Sequence, residues 1–158
     1  MIVAIGMDPG PTPGLVKLTY ALGQLMDVAV VQCSANTALD ILHLWLSPVA
    51  KAELYFQVEK FVRGTKPGPS RTADMVGSAV TLVQSSLSSK GAPKGSVQVR
   101  NAATAKAWGT DKRLEQAGLA DDLVGMRHAK DAARHALYTA VHDGGIPDPL
   151  SRKARRRG

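Results

Sequence analysis

Aromatic side chains are scarce in this chain: two Trp, three Tyr and two Phe among 158 residues. So few rings argue against a sequence-tolerant binder of single-stranded nucleic acid, which lays successive bases on aromatic platforms. Cysteine is scarcer still. Cys33 stands alone, so no disulfide can form within the chain, and its apolar neighbours make it read as a buried, inert thiol. No apolar run approaches the ~18 residues of a membrane span. The first residues carry no basic segment ahead of a long apolar core, so no secretory signal is expected. The expectation is a soluble, cytoplasmic protein.

Acidic charge is also in short supply. Lys and Arg number 20 against 13 Asp and Glu, a net charge of +7, which favours polyanionic partners. Five of the cations are Arg152, Lys153, Arg155, Arg156 and Arg157; 20 less these 5 leaves 15 against 13, or +2 for the rest. The expected organisation is one domain over residues 1–147 and a basic, disordered tail over 148–158. The tail cations, Arg152, Arg155 and Arg156 among them, form an arm suited to phosphates.

The periodicity changes along the chain in a readable order. Residues 2–7, 15–20 and 24–33 read as strands, separated by Pro9-Gly10-Pro11-Thr12-Pro13-Gly14 and by Ala21-Leu22-Gly23. Short connections make them an antiparallel meander. Leu39, Leu42 and Leu46 recur at helical spacing over 36–46, with Ser34 or Asn36 as the cap. Residues 52–58 are strand-like, and 61–69 are a loop that carries Arg63 and Lys66, two cations suited to DNA phosphates. A helix from Ser70 or Thr72 to about 89 bears two apolar stripes: Val76, Val80, Val83 and Leu87, expected on the sheet, and Met75, Ala79 and Leu82. A short strand at 96–100, short helices at 102–108 and 112–117 and a helix over 126–142 complete the pattern. The fold class is α/β: a five-stranded mixed sheet, three antiparallel strands then two parallel ones, flanked by helices.

That topology gathers acids. Asp8 follows the first strand and Glu59 the fourth; parallel neighbours place both on the edge where such sheets bind ligands. Asp131 lies on the last helix, with His128 three residues earlier on the same face. Acids brought together repel unless a cation compensates, and oxygen ligands favour Mg²⁺ or Mn²⁺, the imidazole tilting the choice towards Mn²⁺. Two such ions can activate water and stabilise the leaving oxygen in phosphodiester cleavage. Each residue taken singly has a plainer reading. Asp8 before Pro9 suits a turn, Glu59 a solvated strand end with Glu53 as a competing acid, and His128 with Asp131 an exposed polar pair. His135, one turn beyond Asp131, is either a ligand or a surface residue.

Gly6-Met7-Asp8-Pro9-Gly10 with the later Gly14, Val58-Glu59-Lys60-Phe61, and His128-Ala129-Lys130-Asp131-Ala132-Ala133 together resemble the motifs of RuvC-like Holliday-junction resolvases, which have the ribonuclease H fold. The resemblance spans residues 1–143. It implies a structure-selective endodeoxyribonuclease for Holliday junctions and other branched DNA in recombination, replication or repair, with Asp8, Glu59, His128 and Asp131 as metal ligands. It implies Lys106 and Lys112 as DNA contacts, and the small size and basic tail look like bacteriophage versions. Members often carry an aromatic three residues after the second acid; here position 62 is Val and Phe61 stands one place earlier. On extended chain that reverses the side-chain direction, which widens the expected substrates to forks and flaps. A four-way junction needs two symmetric cuts, so a homodimer is expected, with Met75, Ala79 and Leu82 at its interface. The alternatives are a ribonuclease H-fold nuclease for another nucleic acid and a non-enzymatic basic DNA-binding protein. An actin-like ATPase opens with a similar Asp-x-Gly turn but needs a repeated domain pair.

Overall fold

A computed structural model describes residues 1–47, 52–61, 70–89, 91 and 94–151. The elements in chain order are β1 (Ile2–Asp8), β2 (Gly14–Ala21), β3 (Gln24–Gln32), α1 (Ala35–Leu46), β4 (Glu53–Glu59), α2 (Arg71–Ser88), β5 (Gly95–Arg100), α3 (Ala102–Trp108), α4 (Asp111–Gln116), a 3-10 turn (Asp121–Leu123) and α5 (Arg127–His142). They form one sheet in the order β3-β2-β1-β4-β5. The pairs β1/β2 and β2/β3 are antiparallel, and β1/β4 and β4/β5 are parallel, as the chain pattern predicts. The 3-10 turn is an addition to that pattern.

Strand alternation sorts side chains onto two faces. Val3, Ile5 and Met7 of β1 and Leu54, Phe56 and Val58 of β4 point to one face, where they form a cluster with Leu42 and Leu46 of α1 and Met75, Ala79 and Val83 of α2. Ser34 caps α1 through the Thr37 amide, and Ser70 caps α2 through the Ala73 amide. The inward line of α2 is therefore Met75-Ala79-Val83, with Val76, Val80, Leu82 and Leu87 packed at its flanks. This corrects the expected stripe assignment: Met75 and Ala79 are buried on the sheet and cannot meet a second subunit. An i, i+4 row with a small central residue lets the helix sit close, and that outweighed the larger hydrophobicity of the valine stripe.

The opposite face is covered by a helix whose buried side chains are mostly alanine. Ala4, Val16, Leu18 and Tyr20 meet Ala129, Ala132, Ala133, Ala136, Leu137 and Ala140 of α5. Gly6 is where the helix backbone touches the sheet: a Cβ there would lie 2.0 Å from the Ala132 carbonyl oxygen. Gly14 serves the first turn of α5 in the same way, 2.1 Å from the His128 carbonyl oxygen. The two motif glycines thus set the height of α5 above β1 and β2.

Chain end and thiol also differ from expectation. Asp148 bonds Arg113 (Arg113 Nη2 to Asp148 Oδ2, 3.1 Å), and its side chain and carbonyl accept from the Leu150 and Ser151 amides. Residues 148–151, expected in the tail, stay on the body. Cys33 is half-buried rather than buried.

Candidate active site

Asp8, the last residue of β1, and Glu59, the last of β4, share strand parity and point to the α5 face. The parallel register Met7↔Val58 puts them one step further along, side by side. Asp8 is only 5 % exposed. Burial is the largest influence on it and raises its pKa; the His128 hydrogen bond opposes this, and neighbouring Glu59 adds to the rise. Glu59 is driven the other way, down to about 2, first by its hydrogen bond with His135, then by Lys106, against the opposing effect of burial. The two neighbouring carboxyls are thus shifted in opposite directions, Asp8 upward and Glu59 downward.

The last helix supplies the rest. His128 Nδ1 lies 2.7 Å from Asp8 Oδ2. Its ring is held over β1 by a cap from outside the helix: Gln32 Oε1, at the end of β3, accepts from the His128 and Ala129 amides at 2.9 and 3.2 Å. Those amides are among the four that a helix start leaves without partners. One turn beyond His128, Asp131 accepts from Arg134 Nη1 and from Lys106 Nζ, the latter at 3.0 Å. Lys106 of α3 also reaches Glu59 Oε2 at 3.2 Å, so one ammonium bridges two acids.

His135 is fully buried. Gln57 Nε2 donates to its Nδ1 at 2.7 Å, which leaves the ring proton on Nε2, facing Glu59 Oε2 at 3.4 Å. Gln57 is itself buried, and its Oε1 has no hydrogen-bond partner.

The sequence-selected residues therefore fall into two linked groups. Asp8 pairs with His128, while Glu59 and Asp131 are joined through Lys106. Among the described residues, no three His, Cys, Asp or Glu side chains stand close enough to hold an ion as they are. The donor chemistry nevertheless suits a hard divalent cation, and an ammonium already occupies a cation position between two of the carboxylates. Glu53, the competing acid, sits at the far end of β4 and accepts from Tyr55. Lys112 is exposed on α4. Arg63, Lys66, Arg152, Arg155 and Arg156 lie outside the described residues, as does Val62. Phe61 is 37 % exposed and lines a cleft of about 430 Å³ with Pro9, Glu59 and Lys60.

Gln32, Gln57 and Arg134 were not singled out from the sequence. Arg134 had a local signal, three residues after Asp131 on a helix. Gln57 had a weaker one, as a polar residue inside the apolar run Leu54–Val58.

Among the solved structures similar to this chain, two match nearly its whole length. One is Thermus thermophilus RuvC in complex with a Holliday junction substrate: 22 % identity, covering 92 % of this chain and 96 % of that one, TM-score 0.57. The other is a Thermus thermophilus RuvC structure, at 22 % identity, 94 % and 100 % coverage and TM-score 0.53. The chain has the ribonuclease H-like fold. No family model and no curated protein matches it. The similarity to RuvC is therefore one of architecture. In this chain Asp8 and Glu59 end the adjacent parallel strands β1 and β4. None of its helices among the described residues is long and apolar enough to cross a membrane.

Proposed function

We propose that the protein is a metal-dependent, structure-selective endodeoxyribonuclease that cleaves Holliday junctions and other branched DNA during recombination, replication or repair. The observation that carries this reading is the meeting of Asp8 and Glu59 on adjacent parallel strands beneath His128 and Asp131 of α5. Architectural likeness to RuvC, one structure of which contains a junction substrate, supports it. A bacteriophage origin gains nothing from matches to a Thermus protein and is not proposed.

Asp8, Glu59, His128 and Asp131 would hold Mg²⁺ or Mn²⁺, two ions in the full centre. When bound, the ions supply water activation and stabilisation of the leaving oxygen. The chain's own residues prepare the site. Glu59 is held ionised by His135 and Lys106, ready to accept positive charge. Burial raises the Asp8 pKa, so protons compete with a metal ion more strongly there than at Glu59. Buried His135, fixed by Gln57, aims the Glu59 carboxylate. Lys112, Arg63, Lys66 and the tail arginines Arg152, Arg155 and Arg156 supply phosphate contacts, which position the duplex arms. Two chains related by a two-fold axis would present two centres to a four-way junction.

The test is cleavage of matched junction, fork, flap and linear duplex DNA in Mg²⁺ or Mn²⁺. Branched substrates should be cut and the linear duplex spared. Equal cutting of all four, or no cutting of any, would overturn the reading.

A further inference from the structure

Two cations rest on the acidic centre, and they are held very differently. Arg134 is anchored on three sides: Nε donates to the Gly109 carbonyl at 2.9 Å, Nη1 to Asp131, and Nη2 to Asp111 at 2.8 Å. Lys106 has its ammonium on the two acids alone, 3.2 Å from Glu59 and 3.0 Å from Asp131. Its side chain is 35 % exposed on a flexible stem, whereas Asp131 is 13 % and Glu59 19 % exposed. The two acids come from different elements, β4 and α5, so the ammonium is a cross-link as well as a counter-charge.

We propose that Lys106 is a built-in counter-ion that holds Glu59 and Asp131 together while no divalent cation is bound, and that it leaves when one enters. The inference rests on the reading that these acids bind metal. An ammonium and a divalent ion cannot both touch the same carboxylate oxygens, because their charges repel at contact distance in a partly buried site. Arg134 has no comparable freedom, since its guanidinium is fixed on three separate groups, the Gly109 carbonyl among them. Metal entry therefore exchanges one cation for another and turns Lys106 outward at the edge where phosphates would lie. Displacing Lys106 costs the metal some affinity, and by linkage an anion that holds the freed ammonium tightens metal binding by the same factor by which metal tightens anion binding.

The experiment is calorimetric titration of Mn²⁺ alone, without DNA, into the wild-type chain, Lys106→Met and Lys106→Arg. The Met variant has nothing to displace, so it should bind Mn²⁺ roughly two- to fivefold more tightly, the scale of one partly exposed ion pair. Its metal-free melting temperature should be lower than wild type, and Mn²⁺ should raise it further. The Arg variant keeps the charge and should bind no more tightly than wild type, which also guards against a Met variant that folds poorly. Equal or weaker binding by Lys106→Met, or tighter binding by Lys106→Arg, overturns the exchange while leaving the metal-binding reading intact. Absence of Mn²⁺ binding by wild type and both variants overturns the two together.

Discussion

The two faces of the sheet are built on opposite rules. Towards α1 and α2 the strands present Ile5, Met7, Leu54, Phe56 and Val58, large side chains whose burial stabilises the fold. Towards α5 the central pair, β1 and β4, present Ala4, Gly6 and then polar groups, Gln57, Asp8 and Glu59, beside the apolar Val16, Leu18 and Tyr20 of β2. The second face gives up apolar volume so that the α5 backbone can lie close. Only then does α5 bring His128 onto Asp8 and set Asp131 within reach of the Lys106 ammonium that also holds Glu59. One face is a core, and the other is a frame for a site.

The sharpest way to break that contrast is to remove one acid. Asp8→Asn should lower cleavage of branched DNA by several orders of magnitude and leave DNA binding nearly unchanged, because phosphate is held by cations elsewhere. Asp131→Asn should act similarly, whereas Glu53→Gln, at the far end of β4, should leave the rate close to wild type. Cleavage and gel-shift assays on the same junction check this; wild-type cutting by Asp8→Asn would refute the assigned centre.

Stability should respond to volume in opposite directions on the two faces. Phe56→Ala empties space in the α1/α2 core and should cost about 3–5 kcal/mol. Gly6→Ala adds one carbon on the other face, against the Ala132 carbonyl and the Ala136 amide, which are backbone and cannot rotate away. It should cost about 3 kcal/mol, at or beyond the upper end of overpacking effects. Denaturant unfolding measures both, and a neutral Gly6→Ala would show that α5 is free to lift.

Much of this division was legible in the sequence. The meander, the helices and the parallel crossover follow from periodicity and punctuation, and the acids follow from where strands end. On α2, Val83 faces the sheet as expected, but Met75 and Ala79 take the places expected for Val76 and Val80, because packing favours the row through small Ala79. The Gln32 cap and the Gln57–His135 pair join residues 96 and 78 positions apart, and nothing local marks either partner. Polar groups on a frame are read only once the frame is known.

The acid limb of stability separates two carboxyls that the sequence treats alike. Glu59 has a folded pKa of about 2, below its ordinary 4.5. Its contribution is therefore present above pH 4.5 and lost as pH falls towards 2. Asp8 is shifted upward from 3.8, so its ionisation costs stability as pH rises through that value. Glu59→Gln should flatten the fall in melting temperature between pH 4.5 and 2. Asp8→Asn should raise the melting temperature at neutral pH, by the equivalent of roughly 1 kcal/mol. Unfolding followed against pH checks both signs, and a destabilised Asp8→Asn would mean that the His128 bond outweighs burial.

The last test concerns a polar pair buried under the site, whose joint removal should leave stability nearly unchanged. Gln57→Leu alone leaves His135 Nδ1 without its donor, and His135→Leu alone leaves the Gln57 amide without its acceptor. Each should cost about 1–3 kcal/mol, the cost of an unsatisfied buried group. The double variant removes both partners together with the already orphaned Gln57 Oε1, so it should be close to wild type in stability. Cleavage should behave otherwise. Without the His135 ring, Glu59 loses the hydrogen bond that most favours its charged form. The double variant should therefore cut roughly tenfold more slowly, the lower end of what a group supporting a metal ligand is worth. A double-mutant cycle in denaturant separates the two effects. Should the double variant be as unstable as the sum of the singles, the pair is part of the fold; if it is stable and also cuts at the wild-type rate, His135 does not position Glu59.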